Sequence, residues 1–266
     1  MQSARSAISS ASPWRAFGSL RLREMRYHAN AGQERHRHEE SSLSLVLAGE
    51  LEETSSATSF RAAAGSVVIK PAECWHADVY GPRGAHIVQV RHDSEGDSWD
   101  LAFCSYGWLD SPWFAGAVLA LLSGRTRAGE SAEMIFWDVV ESVFPRSTHQ
   151  PTATPPVWLS DALDLLGQCT VHSISVADVA LRVGVHPVHF ARVFRARFGC
   201  TVRQYIRQRR VLAAWRACQA CDESLAAVAA RSGFADQAHM TRAFTEVLGI
   251  SPGRLKRLGL RATNSL

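Results

Sequence analysis

Lysine is scarce in this chain: of 29 basic residues only Lys70 and Lys256 are lysine, and the remainder are arginine. A planar guanidinium can hold a phosphate or a guanine edge with two hydrogen bonds at once, so the bias suits a DNA partner. Long apolar runs are missing as well. The longest uncharged apolar stretch, residues 111–124, is shorter than the roughly 20 residues that cross a bilayer, so no membrane partner is expected. Before Pro13, Ser, Arg and Ala alternate without the apolar core of a secretory signal. Cysteines are few and scattered: Cys74, Cys104, Cys169, Cys200, Cys218 and Cys221. Cys218-x2-Cys221 has no second pair, which argues against a zinc ribbon. These two read as core thiols at a helix end, with a redox sensor as the alternative. Free thiols fit the cytosol, so a cytoplasmic location is expected.

The 266 residues suit two domains, and charge divides them. Residues 157–266 carry 15 Lys and Arg against 7 Asp and Glu, a net of +8, while the remainder carries 14 against 18, a net of −4. The basic half fits nucleic acid and the acidic half does not.

The basic half contains a repeat. Ser175-Val176-Ala177-Asp178-Val179-Ala180 returns as Ser224-Leu225-Ala226-Ala227-Val228-Ala229, and Gly184 returns as Gly233. Beyond that glycine the offset grows by one, so that Phe190 maps to Met240, Arg192 to Arg242, Phe194 to Phe244 and Gly199 to Gly249. Each copy reads as helix-turn-helix. Ser175 with Asp178 resembles a capping box, Val176, Val179, Ala180 and Val183 share a helical face, and Gly184 permits a sharp turn. Pro187 suits the first turn of the next helix, whose stripe is Phe190, Val193, Phe194 and Phe198. In the second copy Ser224 and Asp236 are the caps, and Met240, Phe244, Val247 and Leu248 pack. Ala180 and Ala229 let paired helices cross closely. The units are placed at about 175–199 and 224–249.

Residues 224–256, with Ala229-x3-Gly233-Phe234, Phe244, Gly249-Ile250-Ser251-Pro252 and Lys256, resemble the C-terminal signature of AraC/XylS-type bacterial transcription regulators. Tyr205, Arg210 and Ala214 fit the same pattern, and the resemblance covers roughly 157–258. Leu255 stands where an aromatic is usual, Trp215 where a basic residue is common, and His186 where Ser usually caps the first recognition helix. The resemblance implies a double helix-turn-helix reading double-stranded DNA, with a small-molecule effector and RNA polymerase as further partners.

Residues 20–92 read as short strands with turn punctuation, among them 43–48, 66–70 and 87–90, which suggests a small barrel or jelly roll. His36-x-His38 precedes the first of these, and His76 follows Gly65-x5-Pro71. This resembles a degenerate cupin pattern. Where cupins place Glu after the second His, this chain has Ser42 and Leu43, and Glu73 replaces a usual Gly. The expected fold is therefore α+β in two domains, a cupin-like β-barrel with packing helices followed by an all-α reader. Residues 1–15 are expected to be disordered, 16–144 to form the sensor and 157–266 the reader. His36, His38, Trp75, His76, Tyr80 and His86 are the expected pocket, suited to an aromatic or apolar effector. No cofactor is required. A divalent metal on His36, His38 and His76 is the lesser alternative.

Two helices are expected near 112–144. Their surplus of large apolar residues (Phe114, Val118, Leu121, Leu122, Met134, Trp137, Val140, Val143 and Phe144) suggests a homodimer contact, the alternative being packing against the barrel. Residues 145–156, rich in Pro, Thr and Ser, read as a linker.

Residues 201–220 should form one helix of about 30 Å, near the 34 Å between successive major grooves on one DNA face. The expected base contacts are Val188, His189, Ala191 and Arg192 in the first unit and Gln237, Ala238, Thr241 and Arg242 in the second. Gln237 suits adenine and Arg242 guanine. Arg195, Arg254 and Lys256 are expected to hold phosphates. The leading reading is a non-enzymatic, ligand-sensing transcription regulator, activator or repressor. The competing one is a cupin-type metal enzyme with a DNA-targeting domain. A fused repair function would need a reactive cysteine cluster that the spacing does not supply.

Overall fold

Alternation of apolar residues builds the N-terminal half into one antiparallel sheet. A computed structural model describes residues 7–55, 58–92, 107–123, 131–143, 156–168, 175–220 and 223–260. The strands are β1 (Ile8–Ala11), β2 (Arg15–Phe17), β3 (Leu20–Tyr27), β4 (Gly32–His36), β5 (Ser42–Ser55), β6 (Ser59–Ala63), β7 (Ser66–Lys70), β8 (His76–His92) and β9 (Gly107–Asp110). They follow the order β1-β3-β8-β5-β7-β9, with β2 on β3, β4 on β8 and β6 on β5. Leu43, Leu45 and Leu47 face one side of β5, with Val67 and Ile69 of β7 and Val88 and Val90 of β8. Val46, Val68 and Ile87 face the other. The pairing of β5 with β8 slips between Val46 and Ala48 and again between Gly49 and Leu51. Each slip bends the strands and exchanges the faces their side chains occupy.

The expectation of disorder at the N-terminus needs correction from residue 7 onward. β1 and β2 both pair with β3, which satisfies the backbone groups that face it. Trp14 adds an anchor, with the Arg23 and Arg91 guanidinium groups 4.4 Å and 5.1 Å from its ring.

The helices are α1 (Pro112–Ser123), α2 (Ala132–Val143), α3 (Val157–Gln168), α4 (Val176–Arg182), α5 (Pro187–Phe198), α6 (Val202–Ala220), α7 (Leu225–Arg231), α8 (Gln237–Leu248) and α9 (Pro252–Leu260). Two apolar clusters organise the C-terminal half. Leu159, Ala162, Leu166, Val179, Ala180, Phe190, Phe194 and Val202 form a core of their own around α3, α4 and α5. The other cluster crosses between the halves: Leu43, Leu45, Leu47 and Phe114 join Leu212, Trp215, Phe244 and Leu248. Helix α6 therefore has its first turn in one core and its last turns in the other.

This shared core explains the apolar surplus of α1. Phe114, Val118 and Leu121 are buried within the chain, packed with α2, the sheet and α8, rather than facing a second copy. Gly116 lies so close to α8 that a Cβ there would stand 2.6 Å from the Val247 carbonyl oxygen. Of the helix residues named for dimer contact, Met134 remains exposed, and Phe144 lies outside the described residues. The linker expected at 145–156 also lies outside them, apart from Pro156, as do Cys104, Cys169 and Cys221. Cys218 is buried in the shared core, as a structural thiol should be. Among the described residues no helix is long and apolar enough to cross a membrane.

Candidate functional site

Both helix-turn-helix units form where the repeat places them, and the local chemistry explains why. The Ser175 hydroxyl accepts from the Asp178 amide at 3.1 Å while the Asp178 carboxylate accepts from the Ser175 amide at 3.1 Å, a complete capping box. Ser224 and Asp236 cap α7 and α8 through the Ala227 and His239 amides. At the start of α5 His186 does the work of a serine, its Nδ1 accepting from the Val188 amide at 3.3 Å. The turns need a left-handed residue, and Gly184 and Gly233 supply it at φ 74° and 78°.

The two second helices present their N-terminal halves outward. On α5, Val188, His189, Ala191, Arg192 and Arg195 are exposed. On α8, Gln237, Ala238 and Arg242 are exposed and Thr241 is half-buried. Not every group is equally available. The Thr241 hydroxyl donates to the Gln237 carbonyl at 2.8 Å, which leaves its methyl and its lone pairs for a partner. His189 leans on Trp158 of α3, ring centroids 5.9 Å apart. Lys256 is half-buried on α9, and its ammonium donates to the Glu223 carbonyl at 3.3 Å, at the entrance to α7. Arg254 is half-buried on α9. Helix α6, at 19 residues, spans about 28 Å and separates the two units.

A second concavity lies within the sheet. A cavity of about 110 Å³ is lined by Arg23, Tyr27, Gln33, His36, His38, Ser44, Lys70, Asp78, Tyr80 and Gln89, with apolar walls from Ile8, Met25, Leu51 and Ile87. Of the six residues expected there, His36, His38 and Tyr80 line it. His76 stands beside them, its ring centroid 4.4 Å from His36 and 5.2 Å from His38. Two do not belong. Trp75 lies outside under the Arg35 and Arg37 guanidinium groups, each 5.3 Å from its ring, because it falls one residue off the face of His76. His86 is buried against Glu24, Nε2 to Oε2 3.0 Å, because the register slips move Ile87 and Gln89 onto the cavity side.

The sequence reading missed a buried charged group. The Lys70 ammonium lies 3.0 Å from Glu53 and 3.5 Å from Asp78, and all three are buried. The two carboxylates raise the Lys70 pKa despite the opposing effect of its burial. Tyr80 donates to Gln33 at 2.7 Å and stacks on Tyr27 at 4.0 Å. Burial pushes His38 down to about 3 and His76 down to about 4, with Lys70 adding to both shifts. An unfolded chain protonates histidine near pH 6.5. The stability these rings contribute is therefore complete above about pH 6.5 and is lost as pH falls toward 4. In chelator, the urea midpoint should decline from pH 7 to pH 5, and His38→Ala should flatten that decline. An unchanged slope in the variant would refute the assignment.

Three imidazoles in this arrangement can hold a metal. The ligand atoms of His36, His38 and His76 lie within 4.8 Å of one another, and so do those of Glu53, His76 and Asp78.

Residues 163–258 match the family model described as a helix-turn-helix domain. The probable transcription factor PqrA of Proteus vulgaris is 33% identical over 86 residues, 32% of this chain and 70% of that protein. The transcriptional activator AarP of Providencia stuartii is 33% identical over 110 residues, 41% of this chain and 76% of that protein. The chain belongs to the AraC-type helix-turn-helix regulators. It is a DNA-binding transcription regulator, and its nucleic-acid partner is double-stranded DNA. Among solved structures, the DNA-binding domain of AdpA in complex with a target DNA aligns at 25% identity over 41% of this chain and 97% of that one, with a TM-score of 0.38. In this family setting the competing reading as a metal enzyme finds no support.

Proposed function

We propose that this regulator is ligand-responsive, with a sensor in residues 16–144 and a reader from residue 157. The reader places α5 and α8 in adjacent major grooves. Val188, His189, Ala191 and Arg192 meet one set of base edges, and Gln237, Ala238, Thr241 and Arg242 the other. Arg195, Arg254 and Lys256 hold phosphates. The observation that carries this reading is the outward exposure of the same N-terminal half on both second helices. The spacing supports it, since about 28 Å of α6 approaches the groove repeat of about 34 Å.

The sheet acts as the sensor, curled into a cupin-like barrel around the cavity. The slips in β5 and β8 favour such curling. The lining sets Arg23, Lys70, Asp78, Gln33 and Gln89 against apolar walls from Ile8, Met25, Leu51 and Ile87, which favours a small ligand with an apolar or aromatic body and a polar end. The signal passes through the shared core, because the second unit packs on the sheet and the first does not.

Arg242→Ala should cost about 1–3 kcal/mol of specific binding and relax preference at one base position. Arg254→Ala should weaken all sequences alike and lower the salt slope by about 1. Both are measured by competition binding across a salt series. If Arg242→Ala left affinity and preference intact, the placement of α8 in the groove would be wrong.

A further inference from the structure

Histidines stand at the entry of both second helices, and each ring acts through Nδ1. His186, the N-cap of α5, accepts from the Val188 amide at 3.3 Å. His239, in the first turn of α8, accepts from the Ala235 amide at 3.4 Å. His189 Nδ1 lies 3.5 Å from Arg192 Nη2. A backbone amide and a guanidinium can only donate. Each Nδ1 therefore keeps its lone pair, and each neutral ring carries its proton on Nε2.

His189 and His239 occupy the same place in the repeat, as do His186 and Asp236. They do different work because the turns differ in length. The first runs Gly184-Val185-His186 and the second Gly233-Phe234-Ala235-Asp236, so Ala235 is the inserted residue and brings one more backbone amide to satisfy. Asp236 accepts from the His239 amide at 2.6 Å, and His239 turns back beside Phe234, ring centroids 5.3 Å apart, to take the amide of Ala235. The first unit has no inserted amide. His189 there faces Arg192, three residues on along the same helix face, with Trp158 behind its ring at 5.9 Å.

We infer that His186, His189 and His239 are positioning residues of the DNA-reading face, each working through its Nδ1 lone pair. His186 and His239 set the entry of α5 and α8, where Val188 and Gln237 stand. His189, besides its own place at the base edges, steers the Arg192 guanidinium. The inference rests on the placement of α5 and α8 in the grooves.

Asparagine, glutamine and alanine variants test it, because Asn carries an acceptor where Nδ1 stood, Gln carries one a bond further out and Ala carries none. The full-length proteins are compared by competition binding on the duplex that the unsubstituted protein selects from a randomised pool. His186→Ala and His186→Gln should each lose about 2- to 30-fold, the range to which a lost N-cap converts, while His186→Asn should stay within about 2-fold. His239→Ala should weaken preference in the other box, and His239→Asn should keep it. His189→Ala should relax the same base position as Arg192→Ala, and His189→Asn should retain that preference. Side-chain ¹⁵N spectra of the histidine-labelled protein in mildly alkaline buffer should show Nδ1 bare and Nε2 protonated at all three rings. His186 and His189 are exposed, so their variants leave the core intact. If His239→Ala fails to fold, His239→Asn and the ¹⁵N spectrum decide at that position. Equal losses for Asn and Ala, no loss for Ala, or a proton on Nδ1 would each overturn the inference. A pool enriched without a sequence motif, with the tautomers as expected, would instead overturn the placement of the helices in the grooves, and the positioning role with it.

Discussion

Trp215→Ala should destabilise the protein by about 3–5 kcal/mol, the range for deleting a large buried aromatic. Trp215 has no exposed surface and sits on α6 in the core shared with the sheet. Its Nε1 donates to the Leu47 carbonyl at 3.1 Å, so truncation also strands a strand carbonyl. The neighbouring Arg216 adds a polar clasp, with hydrogen bonds to the Ala64 carbonyl at 3.1 Å and to Asp110 at 2.7 Å. Against a total stability of about 5–15 kcal/mol, the loss is a large fraction. Trp215→Phe should cost less, because it keeps most of the packing and gives up the hydrogen bond. The urea midpoint measures both. Gly116→Val provides an orthogonal check. Its side chain would meet the α8 backbone and should push α8 away from α1. A loss below about 1 kcal/mol for Trp215→Ala would mean that α6 does not pack on the sheet in solution.

Lys70→Met should be comparably costly, about 3–5 kcal/mol, because it removes one partner of a buried ion pair. Glu53 has no exposed surface and Asp78 is 2% exposed, so neither carboxylate can recover its solvation. Glu53, fully buried and without its cation, would favour its neutral form, so the variant should lose more stability at pH 8 than at pH 5. Adding Glu53→Gln should restore part of the loss, so the double variant should be less damaged than the sum of the singles. Denaturation of the four proteins gives the coupling directly. Additive losses would show that Lys70 and Glu53 do not interact.

The reader was legible in the sequence because its signals are local. Capping serines, turn glycines and apolar stripes act within about ten residues, and the duplication presented each of them twice. His186 marks the limit of motif matching: it departs from the usual serine yet caps α5 by the same hydrogen bond. What the sequence hid were pairings between distant strands. Lys70, Glu53 and Asp78 come from β7, β5 and β8, and only the sheet register brings them together. Two local signals could have pointed to them. Asp78 follows His76 by two residues, hence on the same face, and Lys70 is one of only two lysines and directly follows the apolar run Val67-Val68-Ile69. Trp75 and His86 were misplaced for a related reason, since alternation holds only between slips in register. The apolar surplus of α1 was visible, but composition does not distinguish a second copy from the chain's own second helix-turn-helix unit.

The central claim is that two equivalent helices read two boxes of one operator. In vitro selection of DNA sites by the purified full-length protein tests it most directly, when Arg192→Ala and Arg242→Ala are selected in parallel. The predicted result is a motif of two boxes about one helical turn apart, with each variant degrading a different box. Sequence-indifferent enrichment, or a single box degraded by both variants, would contradict it.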